Sequence, residues 1–504
     1  MWITASDLPK SPGHPFYQRV NVVLEEAGFD RFAERRCERF YAGDVGRPGL
    51  APGRYFRLLL LGYFEGLESE RGIAWRASDS LAIRSFLGLG LDERAADHST
   101  ISRTRRLIDV ETHGEVFGWI LEQLAHSGLV KGETLLVDGT SLEANAAMRS
   151  IVRRDTGEVY EEYLKGLAKA SGIRTPTRAA LARLDRRRAK KGSNAEWTSP
   201  SDPDARITKM KDGRTRLAHK AEHAVDAESG AIVAVTVQEA SIGDTGTIMQ
   251  TLVEAEGQLV KLRSQPSLEM AVKEMQEVTA DKGYHSDDVL VGLEEVGLRS
   301  YLSEPDRGRR RWRGDDTARR AVYANRRRIR GQRGQRLQRM RGERVERSFA
   351  HLYETGAMRR THLRGHVNIL KRLLIHAGAF NLGRLLRHRH GTGTPRGLQG
   401  RTGPFLLLLL RLYRLVRPHL RPYASAHVYR PSHSRSAAPP FQRLAGAQQG
   451  LPFPLGQVVL AHQRDLFQDQ IDLGLERLEV GHRGLRGRGR HPHRRRFILS
   501  VDAQ

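Results

Sequence analysis

Two short apolar runs, each stopping at an aspartate, constrain the fold of this chain more than any other feature. Thr134-Leu135-Leu136-Val137 ends at Asp138-Gly139, and Val278-Thr279-Ala280 ends at Asp281-Lys282-Gly283. Short β-rich runs bounded in this way read as buried strands. Between them, Arg216 to Val225 and Ala231 to Val237 flank Ala227-Glu228-Ser229-Gly230, the pattern of a hairpin. Residues 244–264 and 286–296 carry helical spacing, and Leu298 to Leu302 predicts a last strand. Strands interleaved with helices make this part α/β, a mixed sheet with flanking helices.

The chain ahead of it reads as all-α over residues 13–128. Phe16, Val20, Val23, Leu24 and Ala27 recur at helical spacing, and Pro52-Gly53 opens an apolar segment from Tyr55 to Leu67. Asp97-His98-Ser99-Thr100 offers N-caps for Ile101-Ser102-Arg103-Thr104-Arg105-Arg106. A short basic helix after a turn is what a helix-turn-helix presents to DNA, which makes Arg103, Arg105 and Arg106 candidate contacts; the plainer reading is a solvated helix. The expected domains are a helical one over 1–128 that binds DNA ends, an α/β core over 129–390 with a basic insertion at about 149–213, and a tail over 391–504. A long helical pattern runs through Phe349, Leu352, Leu363, Ile369, Leu373, Leu374 and Leu385.

The tail loses lysine but not arginine: none follows Lys371, while Arg, Pro, His and Gly abound after residue 390. A globular domain has no reason to discard one basic residue and keep the other, whereas a GC-rich gene read past its normal end does so. Residues 417–504 are therefore expected to be disordered or out-of-frame, with a short helix conceivable over 456–480.

A formal charge of +26 calls for a polyanionic partner. Nucleic acid fits, and an anionic membrane surface is the alternative. Residues 307–347 alone hold 17 arginines, and arginine matches phosphate bidentately. Trp312 and Tyr323 within that stretch are candidates to stack on an unpaired base at a cleaved end. The run Phe405 to Leu410 is too short to span a bilayer. A single cysteine, Cys37, excludes an internal disulfide and a zinc ribbon and suits a reducing compartment. Met1 to Tyr17 lacks the pattern of a secretory signal. The expected location is the cytoplasm, on the nucleoid.

Asp138 and Asp281 end strands, and Glu346 opens the long helical pattern. Carboxylates gathered on one sheet edge repel each other unless a cation joins them, and Mg²⁺ or Mn²⁺ suits oxygen ligands. Two such ions about 4 Å apart can activate water and stabilise the leaving oxygen in phosphodiester displacement. Each acid alone has an ordinary reading: an Asp before Gly is a turn residue, and a Glu in a basic helix is a salt-bridge partner.

The order strand-Asp, hairpin, strand-Asp, basic segment, helix-Glu resembles the DDE transposases of bacterial insertion sequences. Val137-Asp138-Gly139-Thr140, Thr279-Ala280-Asp281-Lys282-Gly283-Tyr284 and Glu343-Arg344-Val345-Glu346-Arg347-Ser348-Phe349 resemble that family's three acid motifs. Arg364-Gly365 and Asn381-Leu382 fit as well, as do Gly62-Tyr63-Phe64-Glu65-Gly66, Ser69-Glu70-Arg71 and Asp97-His98-Ser99-Thr100 in the helical part. Ala96 and Ala350 depart from it, where the family often has Pro and Gly. The resemblance covers about residues 15–405 and implies a ribonuclease-H-like core. It implies Asp138, Asp281 and Glu346 as catalytic metal ligands, with Glu343 as the rival for the third place, and two Mg²⁺ or Mn²⁺ ions. It also implies double-stranded DNA, the element ends and the target, as partner, held by a homodimer or larger assembly. Lys282, Tyr284, Arg344 and Arg347 are candidate DNA contacts, or else local pairing and packing. Lys220 and His223, on the hairpin, sit where an extra active-site contact is conceivable; the plainer reading is a cross-strand structural role. Two other readings stay open: a nuclease on the same fold without strand transfer, and a transposase-derived DNA-binding protein that no longer cuts.

Overall fold

The computed structural model describes residues 13–41, 49–187, 192–306, 308, 312 and 314–398. The expectations for residues 399–504, and those for Arg307, Arg309, Arg310, Arg311 and Arg313, lie outside the described residues.

Helices come first: α1 (Pro15–Glu26), α2 (Phe29–Cys37), α3 (Pro52–Phe64), α4 (Glu70–Asp79), α5 (Leu81–Phe86), α6 (His98–Leu107) and α7 (Val110–His126). Their starts follow from side-chain capping. Ser69, Ser80, Asp97 and Asp109 each accept the N–H three residues on, satisfying one of the amides that a helix start leaves open. His113 on α7 is fully buried between two partners: its Nδ1 lies 2.7 Å from the Asp109 carbonyl and its Nε2 3.0 Å from Tyr55 Oη. Nδ1 therefore carries the proton and Nε2 accepts from the phenol. Burial pushes this imidazole down to about 4. The unfolded chain thus binds a proton that the folded one refuses. The contribution is fully present above pH 6.5 and is lost as pH falls towards 4, about 3 kcal/mol in all. Denaturant titrations of the parent and His113→Gln from pH 7 to pH 4 should show a stability gap that narrows with acid; a gap independent of pH would contradict this assignment.

Then follow β1 (Thr134–Glu143), β2 (Val152–Arg153), α8 (Tyr160–Ala170), α9 (Arg178–Arg187), β3 (Trp197–Thr198), β4 (Arg206–Lys209), β5 (Thr215–Asp226) and β6 (Ile232–Glu239). The chain continues with α10 (Ile248–Arg263), β7 (Glu277–Ala280), α11 (Asp287–Glu295), β8 (Arg299–Leu302), α12 (Asp316–Arg330), α13 (Gln332–Phe349) and α14 (His366–His390). β5 is antiparallel to β1 on one side and to β4 and β6 on the other. β7 lies parallel to β1, and β8 parallel to β7. The sheet is thus mixed and reads β6–β5–β1–β7–β8 across, with β4 extending the β6 edge.

Adjacent residues of β5 show which helix covers which face. Glu222 bonds to Thr251 of α10, while His223 bonds to Ser348 of α13, and successive strand residues point oppositely. α14 is buried all round from Lys371 to Gly383, as a helix packed on every side must be. It contacts α3 and α7 as well as β6. One apolar core therefore runs from Phe16 to Leu386. Among the described residues no helix is long and apolar enough to cross a membrane.

The long helical pattern from Phe349 to Leu385 is two helices. After α13 the backbone passes through one wide turn at Ala350–Thr355, and Ala357 and Gly365 adopt φ of 59° and 80° before α14 begins. A left-handed backbone stops a right-handed helix. The apolar spacing continues only because both helices pack on the same core. The insertion is partly helical, through α8 and α9, and it also holds the β2–β3 pair around buried Trp197, flanked edge-on by Tyr160 and Tyr163. Two-residue strands are too short to leave a period in the sequence.

Candidate active site

The two aspartates that end apolar runs stand side by side. In the β1–β7 register Leu136 lies opposite Thr279, so two residues further on Asp138 lies level with Asp281. Asp281 follows the end of β7 as expected, but Asp138 does not end its strand, because β1 stays paired with β5 through Asp138 opposite His223 and on to Glu143. Each carboxylate is oriented by the glycine that follows it. Asp138 Oδ1 accepts from Gly139 N at 2.8 Å, and Asp281 Oδ1 accepts from Gly283 N at 2.8 Å as the cap of the turn Lys282–Tyr284.

α13 crosses this edge in a defined register. Gln338 donates to the carbonyls of Ala280 and Tyr301, at the ends of β7 and β8. About one turn later Arg341 places its guanidinium on Asp138 Oδ2. Burial pushes the Asp138 carboxyl up to about 6. The Arg341 guanidinium and the Gly139 amide oppose that rise, and the neighbouring Asp281 charge adds to it. Deeper under the helix, Ser348 Oγ donates to the Val345 carbonyl and so accepts from His223 Nδ1 at 2.9 Å. His223 Nε2 then accepts from Tyr353 Oη at 2.6 Å. Burial holds this histidine neutral, pushed down to about 3, so it is a structural pin between β5 and α13.

Glu346 is exposed on α13, five residues beyond Arg341. It does not begin a helix as expected but lies in the last turn of one, three residues before α13 ends at Phe349. Among the described residues no three His, Cys, Asp or Glu side chains stand close enough together to share a metal ion. Asp281 is close enough to Asp138 for its charge to act on that carboxyl, and the two form no three-carboxylate cluster with Glu346. Glu343 is more than half exposed and paired with Arg347 at 2.9 Å. Two oxygen-donor carboxylates at one edge, one of them held up by burial and by its neighbour's charge, are a donor set that fits a hard divalent cation.

The candidate DNA contacts divide by exposure. Lys282, Arg103 and Arg106 are exposed, and Arg347 is exposed beside Glu343. Arg344 donates to the Glu228 carbonyl. Tyr323 is 42% exposed, 6.2 Å from Trp312 ring to ring. Arg105 is instead buried against Glu70, joining α6 to α4. Tyr284 is 0% exposed, with its hydroxyl on Glu222 Oε1 at 3.0 Å.

Arg341 and Gln338 escaped sequence reasoning, because one arginine among 17 carries no mark of its partner. Glu222 and Lys220 had a signal. They are charged residues two apart in a strand with an apolar run on either side, the spacing that aims both at one buried face.

No curated protein and no solved structure matches the chain. Residues 6–107, the stretch that holds α1 to α6, match the family described as Transposase domain (DUF772), so this part of the chain is similar to a transposase domain.

Proposed function

We propose that the chain is a DDE-type DNA transposase of a bacterial insertion sequence, cutting DNA at the element's ends and joining the freed 3′ ends to a target. The observation that carries this reading is the placement of Asp138 and Asp281 on adjacent parallel strands. The strand order supports a ribonuclease-H-like core: an antiparallel β6–β5–β1 meander continued by two strands parallel to β1. The transposase-domain match ahead of it supports the same activity.

In this reading Asp138 and Asp281 hold Mg²⁺ or Mn²⁺, and Glu346, on the helix that delivers Arg341, is the third carboxylate. When bound, the cation supplies activation of water and stabilisation of the leaving oxygen. Gly139 and Gly283 orient the two aspartates through their amides. Exposed Lys282, Arg103 and Arg106 offer phosphate contacts, and two copies of the chain hold two DNA ends.

A second reading, a transposase-derived protein that binds DNA without cutting, is favoured by the lack of a three-carboxylate cluster among the described residues. A labelled duplex carrying the element's ends, incubated with the protein, target DNA and Mn²⁺, separates the readings. Cleaved and joined products are expected. Cleavage without joining would reduce the activity to that of a nuclease, and binding without cleavage would favour the second reading.

A further inference from the structure

A buried charged network lies directly behind both aspartates. Lys220, 6% exposed, is its hub. Its Nζ lies 3.0 Å from Glu222 Oε1, 2.7 Å from Asp244 Oδ1 and 2.7 Å from Thr247 Oγ1. Glu222, 0% exposed, also accepts from Tyr284 Oη at 3.0 Å, from Thr251 Oγ1 at 2.7 Å and from Thr247 Oγ1. The Lys220 ammonium lies 5.8 Å from the Tyr284 ring centre. A buried pair of opposite charges contributes little net stability over an apolar replacement, so stability alone gives no reason for placing one here.

The contacts of the two glycines suggest what the network does. A Cβ on Gly139 would lie 3.0 Å from Tyr284 Oη, 3.2 Å from Lys220 Cε and 3.3 Å from Glu222 Cγ. A Cβ on Gly283 would collide with the Asp244 carboxylate. Both glycines therefore seat their backbone on the same network, and their amides are the ones that orient Asp138 and Asp281. β1, β5, α10 and the turn after β7 meet at this point, so a shift of Lys220, Glu222 or Tyr284 moves one amide relative to the other.

We propose that Lys220, Glu222 and Tyr284 are positioning residues: the network they form sets the spacing between the Asp138 and Asp281 carboxylates and thereby the affinity for a divalent cation. The inference rests on the reading of those aspartates as cation ligands. Supporting groups behind metal ligands typically change affinity by about 10–100-fold when altered.

The test is Mn²⁺ binding, counted by the electron paramagnetic resonance of the free ion, on the full-length parent, Tyr284→Phe and Glu222→Gln. Thermal unfolding without metal and binding of an uncleaved duplex run beside it. Tyr284→Phe removes a single hydroxyl and is the variant expected to fold in any case. The expected result is Mn²⁺ affinity lower by about tenfold in both variants, with duplex binding unchanged. Parental Mn²⁺ affinity in a folded Tyr284→Phe would overturn the proposal, and so would a parent that binds no Mn²⁺. A parent that binds Mn²⁺, loses affinity in the variants and yet cuts no DNA would uphold the positioning role while removing the transposase reading.

Discussion

Asp138→Asn is expected to lower cleavage of a DNA end by about 10³-fold, the scale on which removing one group that stabilises developing charge acts, and to leave binding of the intact duplex unchanged. The carboxamide keeps the shape, and its oxygen still accepts from Gly139 N. What it lacks is the charge that balances a cation. Loss of fold would not explain the result. Burial already holds the Asp138 carboxyl up to about 6, so folding disfavours the ionised form. The sign follows: between pH 3.8 and about 6 the folded state holds the proton more tightly, and this group's contribution to stability declines as pH rises through that window. Above pH 6 the Asn variant escapes that penalty, so its melting temperature should equal or exceed the parent's. Cleavage assays at pH 8 with thermal unfolding of both proteins make the comparison. Equal cleavage by parent and variant would remove Asp138 from the mechanism. A lower melting temperature would mean that the Arg341 guanidinium, left without its carboxylate, dominates the balance.

How much of this was legible in the sequence depends on the range of the interaction. β7 and the first half of β1 were visible because a short apolar run ending at an acid is a local pattern, and the β5–β6 hairpin because Gly230 marks its turn. The rest of β1, from Asp138 to Glu143, was missed because its polar residues are held in the strand by pairing with distant β5. Asp97 was readable as a cap because its partner is three residues away. That Asp138 and Asp281 are neighbours follows from the parallel pairing of β1 and β7, which local periodicity does not encode; the order of the acids suggested it only through resemblance. Tyr284 and Arg105 show the opposite failure. Both were readable as surface contacts because aromatic and basic residues beside a motif look available, yet Glu222 and Glu70, far off in sequence or on another helix, draw them inside. The break between α13 and α14 was hidden because two helices packed on one core keep the apolar spacing of a single helix.

Two asparagines close the sheet at its opposite edges, and their removal should cost more stability than any substitution at the candidate site. Asn381 of α14 accepts from Ile232 N at 2.9 Å and donates to Ile232 O at 2.8 Å, on β6. Asn325 of α12 does the same for Leu302 of β8, at 2.9 Å and 2.8 Å. Ile232, Leu302 and both asparagines are fully buried, so water cannot replace the lost partners. A buried donor and a buried acceptor left open cost about 1–3 kcal/mol each, which puts Asn381→Leu and Asn325→Leu each at about 4 kcal/mol. The edges are four strand spacings apart, about 19 Å, so the double variant should lose the sum. Urea unfolding checks this, provided the denaturant slope is unchanged. A loss under about 1 kcal/mol in either single variant would mean that the freed backbone groups find other partners. The two should differ in function. Leu302 pairs with Ala280, the residue before Asp281, so releasing β8 loosens the strand that carries the second aspartate. Ile232 sits on the far edge, two strands from β1. Under conditions where both variants stay folded, Asn325→Leu should therefore weaken Mn²⁺ binding while Asn381→Leu leaves it intact. Equal binding by the two would show that the aspartate pair is held from β1 and the network behind it rather than from the β8 edge.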